Sequence, residues 1–406
     1  MPNEIIFLSM KIEFASHRKK TWLANAILFN VSRILYRRDP RLWVYGTHEG
    51  TKYDDNARYL FEHVNHKHGQ EIRSVWLAAN DDVVRIVRKN GGEAYTFNSK
   101  EGREISHRAG VAIFTNGLDD FGPWPKIGGA RLVYLGHGVG FKNTYNAKYS
   151  GKTLFVKKTM DKVFSWIRRD LTISTSEFNK QQRKLIASLP QQASVCITGQ
   201  PRNDVFKRTD IKKCVFDKLK IGSEKRLILY LPTYRGDAMG TDAMKSIVTN
   251  LYGNKALEEM LEKTNSILLT KLHPLTPPIN LPDRSSFRIM HYQEVESNQE
   301  LLAAGDVLIT DFSSCCVDFA LLNRPVIFYL PDKDDFISQS ETVCKEFYDI
   351  CRTNQCFTPD GLAEMLTHVS LKATDAINKL YEAPTIKGTC YSENVYSAIL
   401  QLLNMP

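Results

Sequence analysis

"LITDFSSCCVDFALLNRPVIFYL" (Leu308–Leu330) decides the fold. An apolar run ends in Thr310-Asp311-Phe312-Ser313-Ser314. A second apolar segment follows, and Asn323-Arg324-Pro325 leads into Val326–Leu330. The pattern predicts strand, polar turn, helix, strand, the repeating unit of a parallel sheet. The acid and the two serines in the turn have two readings. Ser313 is a good N-cap, since a serine hydroxyl accepts a hydrogen bond from an orphan N–H at a helix start. The same N–H groups, aided by the helix dipole, also bind phosphate oxygens. The stretch alone serves either purpose.

Outward from it, strand-like and helix-like segments alternate. Strands are predicted at 41–47, 72–79, 111–117 and 131–138, and at the start of 195–204. Five more lie within 225–237, 266–274, 287–292, 306–314 and 324–330. Helices are predicted at 54–68, with Asp54 or Asp55 as cap, at 81–92, closed by Gly91-Gly92, and at 392–403. Such alternation argues for parallel α/β sheets. Ten strands exceed one modest sheet, so two Rossmann-like domains are expected, divided near 205–225.

The chain has 406 residues, of which 43% are hydrophobic, enough for two domains with real cores. Its net charge of +9 suits polyanionic partners: nucleic acid, acidic lipid or phosphorylated small molecules. Eight cysteines, at 196, 214, 315, 316, 344, 351, 356 and 390, include no C-x-x-C and no zinc-finger spacing. They read as reduced thiols, mostly buried. No apolar stretch is long enough to span a bilayer and no signal peptide is visible, so a cytoplasmic protein is expected. Residues 1–41 carry eight basic side chains against three acidic ones. Within them Trp22, Leu23, Ala26, Ile27, Val31, Ile34 and Leu35 recur at helical spacing. This basic amphipathic helix is expected to pack on the domain behind it or to lie on an anionic membrane.

In open parallel sheets, ligands bind beyond the carboxyl ends of the strands. There the sequence places His137 and Gly138, Arg202, Thr233 and Arg235, Lys271 and His273, and Ser313 and Ser314. Gly136, Gly138 and Gly140 allow close approach of a ligand to the backbone. Each has a plain structural reading: a satisfied histidine, turn chemistry at Pro232-Thr233, a solvated lysine, a helix cap. Five coincident strand ends carrying cations or hydroxyls point instead to a cleft for a diphosphate. The Asp-x-Asp in "PDKDD" (331–335) reads as an ordinary acidic loop and "HVNHKH" (63–68) as a polar helix end. In that helix His63 and His66 are expected to be neighbours. There is no Walker loop, no nucleophile elbow and no nucleic-acid motif.

By these residues, the chain resembles the CDP-glycerol glycerophosphotransferase family over about 42–403. "LITDFSSCCVDFALLNRPVIFY" carries the likeness furthest, and "YDDNARYLFE", "TGQPRND", "YLPTYR" and "KLHP" follow the family's order. The resemblance implies a GT-B fold, two Rossmann-like domains facing a central cleft, with the C-terminal helix crossing back to the N-terminal domain. Beyond the basic N-terminal segment (1–41) read above, it implies an acceptor domain (42–208), a nucleotide-donor domain (209–380) and a returning C-terminal segment (381–406). It also implies the reaction. An acceptor hydroxyl attacks the β-phosphorus of CDP-glycerol, and CMP leaves without a cofactor or metal. His137 matches the base, and Arg202, Pro232, Thr233, Lys271, Leu272, His273, Ser313, Ser314 and Asp318 match positions around the donor.

The family's Trp-His-Gly-Thr-Pro-Leu-Lys is here "LGHGVGFKN". Gly136, Val139 and Gly140 replace the Trp, Thr and Pro, and Lys142 keeps its place. Lys271 stands where Arg is common and Phe312 where Tyr is usual. The implied donor is CDP-glycerol or CDP-ribitol. The implied acceptor is a lipid-linked glycan or a polyol-phosphate or sugar-phosphate polymer, at the cytoplasmic side of a bacterial membrane. A GT-B glycosyltransferase using a nucleotide sugar is the competing reading.

Overall fold

The computed structural model describes residues 27–122, 124–139, 169–186, 194–235, 241–273, 276–282, 284–290, 297–339 and 344–405. Strands β1 (Asp39–Gly46), β2 (Arg73–Ala78), β3 (Glu93–Thr96), β4 (Ala109–Phe114), β5 (Arg131–Tyr134), β6 (Leu171–Ser174) and β7 (Val195–Ile197) form one sheet. Its order is β3-β2-β1-β4-β5-β6-β7. The second sheet holds β8 (Arg226–Leu231), β9 (Ser266–Lys271), β10 (Phe287–Met290), β11 (Val307–Thr310), β12 (Val326–Tyr329) and β13 (Gln355–Cys356), in the order β10-β9-β8-β11-β12-β13. The strands pair in parallel: Val44 lies opposite Val75 and Ala112, and Leu229 opposite Leu269 and Leu308. The chain divides into two compact units, Met1–His137 with Val163–Ile173 and Ser392–Pro406, and Gly138–Lys162 with Ser174–Tyr391.

The apolar runs become strands because a parallel sheet is covered on both faces. In β8, Leu227, Leu229 and Leu231 point into one core cluster with Phe216, Leu301, Leu308 and Phe319. Their neighbours Ile228 and Tyr230 point into another, with Val248, Leu257, Ile309 and Leu362. Period-two alternation therefore fills two cores, one against each helical layer. Truncating such a side chain to alanine would cost about 2–5 kcal/mol.

In the first unit, Trp43 and Tyr45 leave β1 toward the helix Asp55–His68 and its aromatic neighbours. Phe61 meets Tyr45 and Trp76 edge-on, at 5.2 and 5.6 Å. The last helix, Tyr391–Leu403, returns to this unit as expected, with Tyr396 tilted against Trp43 at 5.6 Å.

The N-terminal helix is described over 27–35. Phe29 and Ser32 pack inward, and the Ser32 hydroxyl donates to the Lys126 carbonyl at 3.2 Å. Ile27, Leu28, Val31, Ile34 and Leu35 are exposed, Ile34 at 84%. The face expected to pack is thus largely uncovered. Trp22, Leu23 and Ala26 lie outside the described residues. Among the described residues, no helix is long and apolar enough to cross a membrane.

Candidate functional site

The order of the second sheet reverses between β8 and β11, and this is where a doubly wound sheet opens a crevice. The loops following those strands are joined by Asp311, which is fully buried. Its carboxylate accepts the Thr233 N–H at 2.9 Å, the Thr233 hydroxyl at 2.5 Å and Arg235 Nη1 at 2.6 Å. Arg235 also grips Asp332 bidentately, Nε to Oδ2 at 2.6 Å and Nη2 to Oδ1 at 3.0 Å. Its guanidinium lies 4.9 Å from the Phe336 ring, which stacks on Phe312. Burial works against the Arg235 charge, and the two carboxylates outweigh it, so its pKa is raised. The structure thus places Arg235 in the support of the loops. Asp332, half of the Asp-x-Asp pair, is taken up here, while Asp334 is exposed.

A second carboxylate organises the other wall. Asp318 is 1% exposed, one turn into the helix Cys315–Ala320. Oδ1 accepts from Gln200 Nε2 and Asn203 Nδ2, both at 2.8 Å. Oδ2 accepts from Arg202 Nη2 at 2.6 Å and Gln299 Nε2 at 3.1 Å. Four donors fill the acceptor sites of one carboxylate. Asp318 was expected to contact a ligand; the structure shows it orienting Arg202. Gln200, Asn203 and Gln299 were not singled out from the sequence. Gln200 and Asn203 had a signal in their position inside "TGQPRND". Gln299 had none, since its partners are far away in the chain.

Ser314, not Ser313, stands at the N-cap of the helix Cys315–Ala320, and its hydroxyl makes no capping hydrogen bond. The Ser313 carbonyl accepts from Cys316, whose buried thiol is held well above the usual range by desolvation. Gly138 lies against this helix start. Its φ is +149°, and a Cβ built there would sit 2.9 Å from Ser314 Oγ and 3.2 Å from Arg202 Nη2. Arg183 Nη2 holds the Gly138 carbonyl at 3.1 Å, and Val139 is buried in the core beside Phe312. Gly140 and Lys142 lie outside the described residues.

Pro232 is buried and Leu272 half-buried. Lys271, buried at the end of β9, donates to Asn298 Oδ1 at 2.6 Å. His273 is exposed and stacks on Tyr234 at 5.3 Å. The second unit therefore brings Thr233, Ser313, Ser314, Arg202 and Gly138 to strand ends and helix starts, with carboxylates fixing Thr233 and Arg202.

Gly138→Ala is expected to cost about 1–3 kcal/mol, because φ is forbidden to a side chain and the added methyl meets Ser314. Thermal unfolding checks this against Gly117→Ala, an extended position with nothing within 4 Å, which should be neutral.

The first sheet reverses between β1 and β4. Here Asp120 accepts the N–H groups of Glu49 at 2.8 Å, Thr115 at 3.1 Å and Asn116 at 2.9 Å. The Asn116 side-chain oxygen Oδ1 accepts the His48 N–H at 3.2 Å. His48, Glu49 and Asp55 all hold positive φ, an uncommon cluster for residues with side chains. His137 follows β5 and is exposed. Gly136 before it has φ +68° and its carbonyl accepts Asn56 Nδ2 at 2.8 Å, so the backbone leading into His137 is held from "YDDN". Burial lowers the pKa of His48; Asp55 and Asp120 oppose this, and Lys52 and His137 add to it. His48, Asn56, Asn116 and Asp120 were not singled out, because isolated polar residues after a strand look like turn chemistry.

A family model described as CDP-glycerol:poly(glycerophosphate) glycerophosphotransferase matches residues 27–385. The teichoic acid poly(ribitol-phosphate) polymerase of Bacillus spizizenii is 33% identical over 36% of this chain and 24% of its own. The teichoic acid ribitol-phosphate polymerase TarK of Staphylococcus aureus is 23% identical over 82% of this chain and 62% of its own. The chain thus spans less than two thirds of the length of these relatives. The solved wall teichoic acid polymerase TagF aligns over 98% of both chains, with TM-score 0.73 and 20% identity. That likeness carries the fold: two parallel-sheet α/β units of the GT-B type.

Proposed function

We propose, for a chain that belongs to the CDP-glycerol:poly(glycerophosphate) glycerophosphotransferase family, that it moves a polyol phosphate from a CDP-linked donor to a hydroxyl of a cell-surface polymer. The donor is CDP-glycerol, with CDP-ribitol as the related possibility. The acceptor oxygen bonds to the β-phosphorus, the bond from that phosphorus to the bridging oxygen breaks, and CMP leaves. His137 takes the proton of the attacking hydroxyl. Arg202, Lys271 and His273 offset charge on the phosphoryl oxygens, Ser313 and Ser314 offer hydroxyl and backbone donors, and Thr233, held by Asp311, shapes the loop beside them.

Asp311 ties the loops after β8 and β11 together at the sheet's switch point, beside a helix start whose N-cap hydroxyl, that of Ser314, is not spent on capping; this observation supports a phosphate site there. The exposed apolar residues of the helix 27–35, with exposed Arg33 and Arg37 beside them, support work at the cytoplasmic surface of a bacterial membrane. The acceptor is then a lipid-linked glycan or a growing polyol-phosphate or sugar-phosphate chain.

Incubation with CDP-glycerol or CDP-ribitol and candidate acceptors, followed by CMP release, tests the proposal. Acceptor-dependent CMP from either donor is expected. Inertness toward both, together with consumption of a UDP- or GDP-sugar, would establish the nucleotide-sugar glycosyltransferase instead.

A further inference from the structure

The histidines of "HVNHKH" are not arranged as their helical spacing predicts. His63 and His68 are the pair that converges, on one oxygen of Glu393 from the C-terminal helix. His63 Nε2 lies 2.7 Å and His68 Nε2 3.0 Å from Glu393 Oε2. The three ligand atoms lie within 4.8 Å of one another. All three residues belong to the first unit, and their side chains are 17%, 19% and 43% exposed, so an ion can reach them from solvent.

The surroundings hold this geometry. His68, the last residue of its helix, stacks on Tyr396 at 3.7 Å and 12°. The Tyr396 hydroxyl in turn donates to Glu71 Oε2 at 3.3 Å.

Two imidazole nitrogens and a carboxylate oxygen form a borderline donor set of the kind zinc takes. Ligand atoms around a tetrahedral zinc are about 3.3 Å apart, given bonds of about 2.0–2.1 Å. The two nitrogen–oxygen separations, 2.7 and 3.0 Å, would open by roughly 0.6 and 0.3 Å, and the nitrogen–nitrogen separation, within 4.8 Å, would settle to the same spacing. The imidazoles bind as neutral rings, with the proton on Nδ1 and the lone pair of Nε2 on the metal.

We infer that His63, His68 and Glu393 form a binding site for a divalent transition cation of the zinc class, which staples the C-terminal helix to the helix Asp55–His68. It stands apart from the proposed transfer chemistry. Three protein ligands leave the fourth position to water.

The full chain, stripped with chelator, is titrated with Zn2+ by calorimetry and with Co2+ by visible absorption. One equivalent is expected, with d–d bands and no sulfur charge transfer, and Zn2+ should raise the thermal midpoint. His63→Ala and Glu393→Gln should each weaken binding by ~100-fold or more. Glu393→Gln preserves the shape of the site and keeps the test valid if His63→Ala unfolds. Failure of the folded wild type to bind, binding undiminished in a folded Glu393→Gln, or a thiolate signature from the cysteines would each overturn the assignment.

Discussion

Asp318→Ala is expected to be the most destabilising single change at the candidate site. Its carboxylate and the Arg202 guanidinium are 2% and 9% exposed and sit 2.6 Å apart. Exchanging both for apolar groups of similar volume is often tolerated, whereas deleting one partner leaves a buried charge, at about 3–5 kcal/mol. Gln200 and Asn203 lose the Asp318 acceptor in the same step, while Gln299 keeps Asn203 Oδ1 at 2.8 Å. For a unit of this size that corresponds to a fall of roughly 6–20 °C in the midpoint. The double variant Arg202→Met/Asp318→Leu should recover part of the loss, and a double-mutant cycle by thermal or urea unfolding measures it. A shift below 1 °C for Asp318→Ala would mean that Arg202 does not depend on it.

The second large effect is on turnover. His137→Ala should lower CMP release by about 10²–10⁴-fold, the usual contribution of a positioned base. Because His137 is exposed, its removal should leave stability within about 0.5 kcal/mol of wild type. Donor affinity, read by calorimetry with CDP-glycerol, should be nearly unchanged. Full activity in this variant would remove His137 from the mechanism, and equal losses in binding and turnover would make it a donor contact.

Much of this fold was legible because buried parallel strands write themselves as uninterrupted apolar runs. "RLILYL", "SILLTK" and "VIFY" each became the predicted strand. β3, β6 and β13 were missed for identifiable reasons. β3 reads "EAYT", a half-buried edge; β6 reads "LTIS", with its hydroxyls buried; β13 has two residues. The strand-end rule located the loops of the site but not the tasks of their side chains. Arg235 and Asp318 were expected to touch a ligand, yet both are committed to protein partners. Their partners, Asp332 and the set Gln200, Asn203 and Gln299, are separated from them by up to 118 residues. No local pattern announces such a pairing. The same limit hid His63, His68 and Glu393, which come together only when the last helix returns.

Asp120 and Asp311 occupy equivalent places: each is a carboxylate after the fourth strand of its sheet that holds an N–H from the loop after the first. Each crevice mouth is thereby stitched shut along its floor while the chain folds. A ligand at either mouth would meet loop ends already fixed by these bonds, so part of the entropic toll of ordering falls once, at folding, rather than at each visit.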